Sequence, residues 1–261
     1  LNYSPKNETF SDNLTLLVQN SFYLFSKFSK CIKSRFLFLL FIFLNQPVFS
    51  QKTINQGYVK MEISNISSDD PQTASMLEMM KGSMFDIYFT EKENLTHINM
   101  MGGMMDMKIH VQDADNLVNM YVDMMGQKYF VQSKADESIS EEQKEAAGKM
   151  KIAYDKNTTK EIAGYNCYKM TISSDGLQGM NVTAFITEDI KSTAKIIKGY
   201  EALSYAGFPL EYTIGNEAFS MTTTATSVEN KVDAGKFKID NAGYTRMTME
   251  EFQKSFGGMG F

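Results

Sequence analysis

Residues 51–261 predict a mainly β (α+β) fold: a single curved antiparallel sheet forming a half-open barrel, with helices covering the concave side. Three observations predict it. Short segments of alternating polarity recur along the chain, each closed by Gly, Asn or Asp turn residues. Helix signals come singly, without the strand–helix alternation of a doubly wound parallel sheet. About ten or eleven strands result, and a sheet of that size curls rather than lying flat.

The elements follow in order. "GYVKMEIS" (57–64) is the first strand. A helix follows, with Asp70 as cap, Pro71 at its first turn and Gly82 beyond its end. Thr73, Met76, Leu77 and Met80 share one face of it. "MFDIYFT" (84–90) leads to a hairpin in which "THINMM" (96–101) and "MMDMKIHV" (104–111) flank Gly102-Gly103. A two-residue turn there pairs positions whose numbers sum to 205. Thr96, Ile98, Met100, Met105, Met107 and Ile109 then lie on one face, and His97, Asn99, Met101, Met104, Asp106, Lys108 and His110 on the other.

Beyond the hairpin, "LVNMYVD" (117–123) and "KYFVQS" (128–133) are strands, and the charged stretch 134–149 is a loop or one exposed helix. "KIAYDK", "YNCYKMTIS" and "NVTAFIT" (181–187) continue the sheet. A helix is expected from Glu188 to Lys198, capped by Thr187, with Ile190, Ala194 and Ile197 inside and Gly199 as its stop. "FPLEYTIG" and "FSMTTTATSVE" are the last long strands. Thr248 and Glu251 form a capping box for a short C-terminal helix that carries Phe252 and Phe256.

The first fifty residues differ from the rest. They contain no Met, even at position 1, so the true start is expected elsewhere, and residues 1–29 read as a disordered upstream extension. Lys30, Lys33 and Arg35 precede the apolar run Phe36 to Leu44, and Val48 and Ser50 then supply small residues at an exit. This is the pattern of a secretory signal (30–50), cleaved between Ser50 and Gln51. Nine apolar residues span only about 14 Å as a helix, too short for a hydrocarbon core of about 30 Å. Residues 51–261 then form a single β domain, exported to the periplasm or cell envelope.

Composition excludes several function classes. Apolar residues make up 43% and charged residues 22%, a globular rather than a disordered balance. The formal charge is −5, and residues 51–261 alone carry 21 basic and 29 acidic side chains, a net −8. Such a charge gives no electrostatic case for a nucleic-acid partner. Cys167 is the one thiol after residue 50, so no disulfide can form within that part, and a buried small hydrophobe is its expected role.

Catalytic motifs are missing. The sequence has two histidines, both on one hairpin, and no GxGxxG, phosphate-binding loop, HExxH or CxxC. An enzyme and a cofactor are therefore not expected. Two binding readings compete. Met76, Met80, Met100, Met105, Met107 and Met120, with Ile98 and Ile109, line the predicted inward faces, and methionine adapts to irregular apolar partners such as an acyl chain. Alternatively His97, Met101, Met104 and His110 share the other hairpin face, and thioethers favour Cu(I). A structural envelope protein with a solid core is a third reading.

The runs "KEIAGYNCYKMTI" (160–172), "GFPLEYTI" (207–214) and "KVDAGKFKIDNAGYTRMT" (231–248) carry a family likeness. Its most specific element is Ile162, Gly164, Tyr165 and Cys167. In these the chain resembles the exported Bacteroidota family designated domain of unknown function 4412, grouped with the LolA/LolB-like lipoprotein carriers. The resemblance implies a LolA-like half-barrel whose concave side takes up acyl chains, with a hydrophobic ligand or acylated protein as partner. It supplies no catalytic residues, and the methionine load belongs to none of its motifs.

Overall fold

The computed structural model describes residues 53–256 apart from 136, 138, 140, 174–179 and 198, and omits the side chains of Met76 and Glu142. The upstream extension, the signal segment and its cleavage point lie outside these residues. The strands β1 (Gly57–Ser68), β2 (Met84–Phe89), β3 (Glu93–Met100), β4 (Met105–Gln112), β5 (Leu117–Met124) and β6 (Gln127–Lys134) form one meander. A second meander comprises β7 (Lys151–Ile162), β8 (Tyr165–Ser173), β9 (Asn181–Thr187), β10 (Phe208–Gly215) and β11 (Phe219–Glu229). β12 (Thr245–Met247) completes a single sheet in the order β12-β6-β5-β4-β3-β2-β1-β11-β10-β9-β8-β7. The helices α1 (Pro71–Glu78), α2 (Glu141–Gly148) and α3 (Met249–Phe256) are short. None among the described residues is long and apolar enough to cross a membrane.

The antiparallel sheet is thus as the alternation requires, with one addition. β12 is a twelfth strand, and it pairs parallel to β6. Three residues carry too little alternation to be seen in the sequence. The two meanders meet where β1 pairs with β11, so the β6–β7 connection must pass from one edge of the sheet to the other. α2 lies in that connection, and Ala147 and Met150 pack against the core. The charged stretch after residue 134 is therefore partly helix, with an apolar underside.

Laid flat, twelve strands would span about 50 Å. The sheet instead curls around one core that draws buried side chains from β1 to β11. Fully buried side chains run across it, from Val131 of β6 through Ile87, Val59 and Leu210 to Met170 of β8. "GFPL" shows why particular residues are needed. Gly207 has φ +74, and a Cβ there would lie 2.9 Å from the Thr187 carbonyl oxygen. Pro209 is accommodated where a register shift interrupts the β9–β10 ladder, while Phe208 and Leu210 enter the core.

Residues 188–197 correct the expected helix. They run without regular structure, and Lys198 lies outside the described residues. Ile190, Ala194 and Ile197 are nevertheless buried, as the pattern required. Tertiary bonds hold the segment extended. The Ile54 N–H donates to the Asp189 carbonyl and the Lys191 N–H to the Ile54 carbonyl, each at 2.8 Å. Farther along, Asn94 donates to Thr193 Oγ1 and the Thr193 hydroxyl to Asp113. The β-branched Ile190, Thr193, Ile196 and Ile197 add little helical preference to oppose this.

The C-terminal segment acts as a belt around the β6 side of the sheet. Leaving β11, it crosses the outer face, where Phe237 lies over His110 of β4 and Tyr244 meets Tyr121 of β5 edge-on. It then adds β12 to the β6 edge and turns onto the core face as α3, where Phe252 is buried. The predicted capping box starts this helix: the Thr248 N–H donates to Glu251 Oε2 at 2.8 Å and the Glu251 N–H to Thr248 Oγ1 at 3.1 Å.

Cys167 is 1% exposed, and its thiol lies 3.6 Å from the Tyr165 carbonyl. Burial, reinforced by the Glu211 carboxylate, pushes this thiol up to about 12. Cys167 of the folded chain is therefore expected to resist iodoacetamide at neutral pH and to react only once urea unfolds the chain. Mass spectrometry of the alkylated protein checks this.

Candidate functional site: a methionine-faced end of the core

The hairpin register is the expected one, from Glu93 opposite Gln112 to Met100 opposite Met105. The turn is longer than two residues. Met101 to Met104 all belong to it, with Met101 at φ 53 and Gly102 at φ 66, so Met101 and Met104 leave the strands. This correction separates the two methionine groups. Met104 is half exposed at the turn, whereas Met105 and Met107 are buried.

Six of the eight residues expected to bind an apolar ligand fall into three cross-strand rows on the core face. Met100 is opposite Met105, which is opposite Met124 of β5. Ile98 is opposite Met107 and then Val122. Ile109 is opposite Met120, which is opposite Val131 of β6. Such directly opposed pairs are close enough to act as one surface. Met80 packs against the same core from beyond the end of α1, and Met76 lies on α1 with its side chain outside the description. Met124 lies one residue beyond the expected strand 117–123 and continues the alternation of Met120 and Val122.

Cover over these rows is uneven. Met105, Met107 and Met120 are buried, but Met100, Ile109, Met124 and Tyr129 are only partly so. Phe256 of α3 packs on Tyr129 at a ring distance of 5.2 Å and on Phe252 at the same distance. Tyr129 is opposite Val122 and so continues the row of Met107. An eight-residue helix therefore packs at one end of the methionine rows. A cavity of about 210 Å³ lies between α2 and the turn after Gly199, lined by Ala146, Ala147, Met150, Tyr200 and Leu203 among others.

The histidines lie on the outer face, and each is bonded to a carboxylate. His97 Nε2 is 2.5 Å from Asp106, and its Nδ1 is 4.0 Å from Asp86. His110, only 5% exposed beneath the belt, has Nε2 2.7 Å from Glu93. No group of three or more His, Cys, Asp or Glu suited to a metal ion occurs among the described residues.

Burial alone would raise the Asp106 carboxyl, but the His97 hydrogen bond and charge, with Lys108 and Asn99, outweigh it and hold it at about 2. Its folded pKa is below the ordinary 3.8, so the stabilisation is complete above about pH 3.8 and is lost as pH falls towards 2. The loss is expected to be about 2 kcal/mol in urea unfolding curves over that range. Asp106→Asn should remove this share of the pH dependence.

No family model matches the sequence, and no curated protein matches it. Among solved structures the chain is similar to PNGF-II, at 13% identity and a TM-score of 0.44, over 76% of this chain and 32% of that one. It is similar to MucB at 10% identity and a TM-score of 0.32, over 73% of this chain and 60% of that one. A third likeness is to the Mycobacterium tuberculosis lipoprotein LppX, at 10% identity and a TM-score of 0.33, over 69% and 89% of the two chains. The chain thus spans about a third of PNGF-II and 60% of MucB.

Proposed function

We propose that this chain is an exported, non-enzymatic carrier of the family it resembles, which holds an acyl chain or an acylated protein against the core face of β3–β5. The observation that carries the reading is the uneven cover of the methionine rows. Apolar side chains from three adjacent strands form one surface, and α3, a helix of eight residues, packs at its β6 end. An isolated helix of that length is marginal in water, so α3 is held by its packing, and a ligand that displaces it must replace the burial of Phe252 and Phe256. Methionine side chains, with three rotatable bonds and a polarisable sulfur, can repack around an acyl chain after it moves.

Displacement tests the proposal. Phenylnaphthylamine, a neutral apolar dye, should bind the folded chain with a rise in fluorescence and be displaced by a long-chain fatty acid. Stoichiometric uptake of Cu(I) without any binding of the fatty acid would instead favour the copper reading. No saturable dye or fatty-acid binding would leave the solid-core structural protein.

A further inference from the structure

We infer that the outer face carries a second binding site, between the belt and strands β2–β4, for a small organic anion with a flat apolar body. A cavity of about 450 Å³ lies there, within the range of about 300–1,000 Å³ usual for small-molecule sites. The acyl-chain surface proposed above is on the opposite face of the same strands.

The lining is cationic on an acidic chain. Lys108 comes from β4, and Lys236 and Lys238 come from the belt, against the single carboxylate of Asp240. That carboxylate is engaged, since its Oδ1 accepts from the Ala242 N–H at 2.9 Å. Behind the wall, Asp106 is held by His97 at 2.5 Å and Lys108 at 3.5 Å. The two belt ammoniums have no such partner. Lys236 Nζ lies 5.4 Å over the Tyr88 ring, and neither it nor Lys238 makes an ion pair or a side-chain hydrogen bond among the described residues. Two free ammoniums in a chain of net charge −5 mark this cavity as a place where an anion gains attraction.

Apart from Gly235 and His97, whose Nε2 is taken up by Asp106, the rest of the lining is apolar or aromatic. Tyr88 and Leu95 form the sheet side, and Ile239 and Tyr244 the belt side. Phe237 and Tyr244 anchor the belt at either end of the cavity, on His110 and Tyr121. A ligand with a carboxylate, sulfonate or phosphate head could reach the lysines while its flat body lies against the tyrosines. The belt is the run "KVDAGKFKIDNAGYTRMT" (231–248), whose pattern the carrier reading leaves unexplained.

The test uses anilinonaphthalene sulfonate, an anionic aromatic dye, beside neutral phenylnaphthylamine. The full chain is titrated with each, as is the Lys236→Ala/Lys238→Ala variant. Both lysines are exposed, so folding should be unaffected, which thermal unfolding checks. The variant is expected to bind the sulfonate on the order of tenfold more weakly. Added salt should weaken binding to the unaltered chain, and phenylnaphthylamine should bind both chains equally. Equal affinity of the sulfonate for both chains, or no saturable binding to the unaltered one, overturns the inference. Failure of the neutral dye alone counts against the carrier reading and leaves this site's result standing.

Discussion

Replacing Phe252 and Phe256 with alanine is expected to destabilise the chain and, at the same time, to tighten its binding of phenylnaphthylamine. Phe252 is 4% exposed and belongs to the core, so its truncation should cost about 3–5 kcal/mol, with less from half-buried Phe256. In an ordinary core that loss would bring nothing in return. If α3 occupies part of a ligand surface, undocking it exposes more of the rows of Met107 and Met120 to an incoming apolar molecule. The helix competes with the ligand, and weakening its hold lowers the free-energy cost of displacing it. Urea unfolding and dye titration on the same sample separate the two effects. Lower stability with weaker or unchanged dye binding would mean that α3 is only part of the core.

Met107→Asp is expected to be comparably destabilising. Met107 is 6% exposed and lies between Ile98 and Val122 on the neighbouring strands. A carboxylate there would have no cationic partner on its own face of those strands, and burying an unpaired charge costs about 4 kcal/mol or more. Dye binding should vanish with it. Loss of the fold would also abolish dye binding, so Met107→Leu is its companion. This nearly volume-conserving change should cost less than about 1.5 kcal/mol and keep dye binding within a few-fold. A folded Met107→Asp chain that binds the dye normally would remove the methionine rows from the site.

Much of this architecture is legible in the sequence because period-two alternation maps directly onto the faces of a strand. The hairpin shows both the strength and the limit of that signal. Glycines at 102 and 103 set the correct register, yet Met101 also takes a left-handed conformation and joins the turn. Non-glycine residues seldom do so, and nothing local announces it. Residues 188–197 show a different limit. Their apolar spacing identified the buried positions, but the bridge between Ile54 and Ile190 decided the conformation. Residues 136 apart cannot signal a pairing of that kind through local pattern.

The belt was hidden for a related reason. Phe237 and Tyr244 have no sustained apolar alternation around them to mark them, yet they pack on β4 and β5. The belt also explains why His110, assigned to a polar face, is buried. Phe252 and Phe256 were found through the Thr248–Glu251 capping box, but their place beside the methionine face depends on β12, which three residues could not reveal.

Native mass spectrometry of the protein recovered from its host without detergent or added metal tests the central claim most directly. The account predicts a lipid-mass adduct on the folded chain that organic solvent strips away. A bare polypeptide mass from a preparation that has met no detergent would contradict it.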